Sequence, residues 1–131
     1  KFYILDNLSR YLATKIRREQ PDLILSFSAV GTYILKKAYE YLKEPSTPPI
    51  ITMFHSTVES VLFKELHLCE GIVYRDKIIR KEFIRFCQLI EQSSAFIQVL
   101  MPSFIKPLKQ YMPNANIVCI PNIVPQYIEH I

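Results

Sequence analysis

The residues best placed to do chemistry are an imidazole and a hydroxyl, His55 and Ser56, at the end of an apolar run. Pro48-Pro49 leads into Ile50-Ile51-Thr52-Met53-Phe54, and the polar pair follows at once. Proline cannot sit within a ladder but can precede one. An apolar run of this length between breakers reads as a strand buried on both faces, the pattern of parallel sheets. In open α/β sheets ligands bind at the carboxyl ends of strands, and imidazole both donates and accepts near neutral pH. His55 is therefore the first candidate site residue.

Three other segments repeat the pattern of an apolar strand that turns polar at its end. Asp22 to Ser28 ends in Ser26-Phe27-Ser28, Ala95 to Leu100 breaks at Met101-Pro102-Ser103, and Asn116 to Ile120 ends at Pro121-Asn122. If all four run parallel, small polar groups and one imidazole line one edge, where a hydroxyl-rich molecule could be held. The competing reading is that polar residues simply cap helices at strand ends. Ser28 and Ser103 fit either role. Glu59 lies one helical turn past His55 and could face the same cleft. His67 and Cys69 have no spacing that suits a tetrahedral metal site, so no metal is assigned. No carboxylate pair or Ser-His-Asp set is evident.

The intervening segments read as helices. Leu5, Leu8, Leu12 and Ile16 form an apolar stripe over Ile4 to Glu19, with basic residues near its carboxyl end and Gln20-Pro21 as the stop. Gly31 and Thr32 open a second helix, with Ile34, Leu35, Ala38, Tyr41 and Leu42 inward. A short helix over Val58 to Leu66 and a loop around Gly71 follow. Asp76 caps a longer helix to about Gln92, with Ile79, Phe83, Phe86 and Ile90 on one face. Ser103 caps a short helix through Tyr111, in which Pro107 is tolerable only near the first turn. The alternation predicts an α/β fold: an open, parallel four-stranded sheet with helices on its faces, Rossmann-like in kind.

The 131 residues make one domain, 50% hydrophobic, with no stretch apolar enough to cross a bilayer and no visible secretory signal. The chain starts at Lys1 without methionine, which suggests a segment of a longer protein, with 123–131 the start of an interdomain linker. Cys69, Cys87 and Cys119 are an odd set without paired spacing and read as reduced thiols. Two glycines, Gly31 and Gly71, cannot build a phosphate loop or dinucleotide fingerprint. Net charge is +4, and Arg75, Lys77, Arg80, Lys81 and Arg85 cluster at the start of the long helix. They read as a solvated face or as a surface drawn to anionic lipid. Nucleic acid is not expected, because no spaced aromatics form a stacking platform.

Taken in order, Pro-Asp-Leu-Ile-Leu-Ser-Phe-Ser, Pro-Ile-Ile-Thr-Met-Phe-His-Ser, Ser-Ala-Phe-Ile-Gln-Val-Leu-Met-Pro-Ser and Ile-Val-Cys-Ile-Pro-Asn resemble the amino-terminal domain of family-4 glycosyltransferases of the GT-B fold. The resemblance covers residues 21 to 122, and Ile120-Pro121-Asn122 carries most of its specificity. It departs in Ile123-Val124-Pro125, where the family usually has Gly, and in Ser94-Ala95 in place of Ala-Asp. The family's glycine-rich first loop and its carboxyl-terminal domain, which binds the sugar nucleotide and carries paired glutamates, lie outside this chain. What the resemblance implies is an acceptor-side domain of a cytoplasmic enzyme, free in the cytoplasm or peripheral on the inner face of the plasma membrane. That enzyme would move a sugar from a nucleotide-sugar donor to a lipid-linked or polysaccharide acceptor in cell-envelope assembly. His55 would contact the donor sugar or orient groups at the reacting centre. Ser28, Ser56, Ser103 and Glu59 would face the acceptor, and Asn122 would hold the linker turn. No cofactor is implied in this chain, since the missing domain would hold most of the donor, and the segment alone is expected to be catalytically silent. The alternatives are a non-catalytic α/β binding module and a peripheral membrane-interaction domain.

Overall fold

A computed structural model describes residues 2–55 and 78–121 of the chain. Helix α1 spans Phe2–Glu19, strand β1 Ile24–Ser26, α2 Ala29–Leu42, β2 Ile50–Phe54, α3 Ile78–Ser93 and β3 Phe96–Val99. A 3-10 turn at Pro102–Phe104 leads into α4, Ile105–Tyr111, and β4 is Ile117–Cys119. The four strands form one sheet in the order β1-β2-β3-β4, every pair parallel. The expected open parallel α/β sheet of Rossmann-like kind is the fold.

Each crossover steps one strand in the same direction. With the usual right-handed connection, that brings the connecting helices to the same side. The burial pattern agrees. Phe54, Ile97 and Val99 share one core with Ala29 and Tyr33 of α2, with Phe83, Phe86, Cys87 and Ile90 of α3, and with Leu108 of α4. The alternate positions face away: Leu25, Phe96 and Val118 are exposed. The sequence reading of Ile50–Phe54 as a strand buried on both faces is thus corrected, since Ile51 and Met53 are only half-buried. The described helices cover one face of the sheet, so the strand alternates.

Helix α1 lies on α2 and closes a second core of Ala13, Ile16, Leu35, Ala38, Leu42 and Ile50. The stripe predicted for α1 is rotated: Leu8 is 41% exposed, while Ser9 and Ala13 are buried. Small side chains let the two helices approach closely. The Ser9 hydroxyl lies 2.9 Å from the Leu5 carbonyl and 3.2 Å from that of Ile34, sharing one proton between its own helix and α2. Arg17 and Arg18 occupy the last turn of α1, as the dipole favours. Gln20 then takes a left-handed backbone, φ 48°, and donates its N–H to Ile16 before Pro21 ends the helix.

Helix α2 begins two residues earlier than Gly31. Ser28 has an extended backbone, and its Oγ accepts the Gly31 N–H at 3.1 Å, so Ser28 is the cap and Ala29 the first helical residue. Tyr41, expected inward, is exposed. Its hydroxyl donates to Asp6 and its ring lies 5.0 Å from the Arg10 guanidinium, so a phenol at the rim of the α1–α2 contact keeps its polar end in water. In α3, Phe83, Phe86 and Ile90 face the core as the periodicity predicts, joined by Cys87. The predicted cap Asp76, the helix at Val58 to Leu66 and the linker 123–131 lie outside the described residues.

Candidate functional site

Because the strands are parallel, their carboxyl ends share one edge, and the loops that leave β1, β2 and β3 carry Ser28, His55 and Ser103. His55 follows Phe54, the buried last residue of β2, and is itself exposed. Phe27, one residue past β1, is 67% exposed, and its ring stacks on the imidazole with centroids 6.1 Å apart and planes 25° from parallel. No hydrogen bond holds either imidazole nitrogen among the described residues. The phenyl ring lies offset beside the imidazole, and the His55 side chain is exposed. This pair is what the tertiary structure adds. Phe27 was quoted in the sequence only as part of a strand end, and an aromatic residue beside a parallel strand that ends in histidine is the signal that would have marked it.

The two serines play different parts. Ser28 is half-buried, and its Oγ is engaged in capping α2, consistent with one of the two roles open to it. Ser103 does not cap α4. It sits inside the 3-10 turn, where Pro102 takes the first position and the missing proline N–H costs nothing, and the residue before α4 is Phe104, which makes no side-chain cap. Pro107 is the third residue of α4, within the first turn as required. Ser103 is exposed. Ser56, Glu59, His67, Cys69, Arg75, Lys77 and Asn122 lie outside the described residues. Arg80, Lys81 and Arg85 fall on α3, and the Lys81 and Arg85 side chains are exposed.

The strand order carries a further consequence. Ligand crevices of doubly wound sheets open where the strand order reverses, and the order β1-β2-β3-β4 does not reverse among the described strands. Ser28, His55 and Ser103 line none of four cavities among the described residues. Among the described residues, the carboxyl edge is the rim that Ser28, His55 and Ser103 share.

Beneath that rim the sheet and helices are tied by hydroxyls. Thr32 of α2 and Thr52 of β2 are buried with their oxygens 2.6 Å apart, and Thr52 lies 2.7 Å from Ser94, which donates to the Ile90 carbonyl at 2.6 Å. Cys87 is fully buried, and burial, with the Glu91 charge adding to it, pushes its thiol up to about 12, an environment that disfavours the thiolate. Tyr39 is likewise raised to about 12 by burial, and its hydroxyl donates to the Pro48 carbonyl at 2.7 Å. Among the described residues no group of three or more His, Cys, Asp or Glu could hold a metal ion, and no helix is long and apolar enough to cross a membrane.

Compared with known proteins, the chain matches no family model, no curated protein and no solved structure.

Proposed function

We propose that this chain is the acceptor-side part of a GT-B glycosyltransferase that moves a sugar from a nucleotide-sugar donor to a lipid-linked or polysaccharide acceptor at the cytoplasmic face of the envelope. The reading rests on the family resemblance of the strand ends. The observation that carries it furthest is the exposed imidazole of His55 held against Phe27 on an edge that parallel strands share. A transferase of this kind needs an oriented donor–acceptor pair and electrostatic support for the leaving diphosphate more than a protein nucleophile. An imidazole edge can accept or donate to a sugar hydroxyl there. Strands without an order reversal call for further elements to close the cleft, and the donor-binding domain is the natural source. Transfer assays on the full reading frame that encodes this segment, with UDP-, GDP- and ADP-sugars, test the reading. His55→Ala should lower kcat by about a hundredfold, the scale of one positioned acid–base group. Transfer untouched by that substitution would sink the role of His55, and transfer by the 131-residue chain alone would contradict its expected silence.

A second reading, attachment to an anionic membrane surface, has its own observation. A cavity of about 340 Å³ between α2 and α3 is flanked by Lys36, Lys37 and Arg85 with one carboxylate, Glu40, and Lys81 is exposed on the same helix as Arg85. Co-sedimentation with vesicles with and without phosphatidylserine, comparing wild type with Arg80→Glu and Lys81→Glu, tests it. Binding that ignores both the lipid charge and the substitutions would remove it.

A further inference from the structure

Two cavities run along the amino-terminal edge of the sheet, the edge opposite His55, and they adjoin at Gln92, which lines both. The larger, about 520 Å³, lies between α3 and the turn that joins α4 to β4. Gln88, Glu91, Gln92, Gln110 and Asn114 supply its polar groups. Phe83 and Tyr111, whose rings meet edge to face at 5.0 Å, supply an apolar wall. The smaller, about 310 Å³, continues past Ser93 toward Tyr39 and Pro48.

The donor and acceptor inventory selects a ligand. A primary amide presents a donor and an acceptor side by side, the complement of two neighbouring hydroxyls that each give and take a hydrogen bond. Four amides and one carboxylate line the larger cavity without a described lysine or arginine, which disfavours phosphate or a nucleotide there, while Lys36 lines the smaller cavity. Phe83 is 3% exposed, so the half-buried ring of Tyr111 is the aromatic surface left for the C–H face of a pyranose ring. The volume falls within the roughly 300–1,000 Å³ of small-ligand sites. A separate observation points the same way. The Ser93 hydroxyl is shielded from solvent and finds no hydrogen-bond partner among the described residues, yet Ser93 lines the adjoining cavity. Such a hydroxyl is uncommon in a folded chain, and it neighbours Gln92, the residue that both cavities share.

We propose that this amino-edge groove binds a neutral saccharide of one or two pyranose units. The site lies across the sheet from the His55 rim and does not depend on the transferase reading. A glycan held there would be recognised without being the reacting sugar.

Titration of the ¹⁵N-labelled full chain with maltose and with N-acetylglucosamine, followed by amide NMR, tests the site. Glycerol and inorganic phosphate serve as controls. The expected result is saturable shifts at backbone amides 84–92, 110–112 and 114 and at the side-chain amides of Gln88, Gln92, Gln110 and Asn114 with at least one sugar. Gln92→Ala and Gln110→Ala should each weaken that binding by about tenfold, the scale of one lost hydrogen bond, while Lys15→Ala on α1 should not. The substituted glutamines are exposed, so the fold is expected to survive, and the wild-type titration decides the matter if it does not. No saturable shift with either sugar, an equal response to glycerol, competition by phosphate, or shifts confined to another surface would overturn the proposal.

Discussion

The Ser26 hydroxyl stands 2.5 Å from the point that a Cβ on Gly31 would occupy. Ser26 Oγ is held there by donating to the Ser28 carbonyl at 2.7 Å, so the first turn of α2 closes over the end of β1 only because position 31 has no side chain. Gly31→Ala should destabilise the chain by about 1–3 kcal/mol through this clash. Ser26→Ala removes the obstructing oxygen and should recover much of that loss in the double variant. Urea unfolding of the four-member cycle measures it, and additive effects would show that the contact does not matter.

The hydroxyl chain Thr32–Thr52–Ser94 can be assigned a direction. Ser94 gives its proton to the Ile90 carbonyl, so Thr52 donates to Ser94 and Thr32 to Thr52. Thr52→Val preserves shape but leaves two neighbours short of a partner, at a cost of about 1–3 kcal/mol. Denaturant unfolding checks the value, and a stability equal to wild type would mean that the network contributes nothing.

Phe96 and Ile97 are adjacent on β3 yet face opposite sides, 46% and 1% exposed. Ile97→Ala should cost about 2–5 kcal/mol as a core truncation, whereas Phe96→Ser should cost about 0.5 kcal/mol or less. Thermal unfolding distinguishes them. Equal losses would indicate that the second face of the sheet is covered as well.

The hydrogen bond from Tyr41, followed by the charge and hydrogen bond of Arg10, holds the Asp6 carboxyl below its ordinary value. A carboxyl lowered in the folded state contributes stability that is present above the unfolded value, about 4, and is lost as pH falls through the folded value. Tyr41→Phe should therefore flatten the acid limb of the unfolding midpoint below about pH 4. Water and salt keep the effect small at so exposed a site. Parallel acid titrations of the two proteins, followed by circular dichroism, provide the check. Superimposable curves would remove Asp6 from the account.

Local pattern made much of this molecule legible. Prolines and β-branched runs marked the four strands, the 3.6-residue spacing of Phe83, Phe86 and Ile90 marked the inner face of α3, and the polar residues after each strand marked the edge where His55 emerges. Those features depend on neighbours in sequence, so composition and spacing suffice. Other features arise from chain segments far apart and have no local signature. The rotation of α1 onto Ser9 and Ala13 depends on how closely α2 approaches. The half-buried state of Ile51 and Met53 depends on which face the described helices cover. The stack of Phe27 on His55, the groove at Gln92 and the unreversed strand order depend on which strand lies beside which. The sequence by itself determined the elements and the polarity of their ends, because backbone sterics and side-chain periodicity act within a few residues. Only the tertiary structure decided which of those ends meet, because contacts between distant segments are set by packing, and packing is a property of the whole fold.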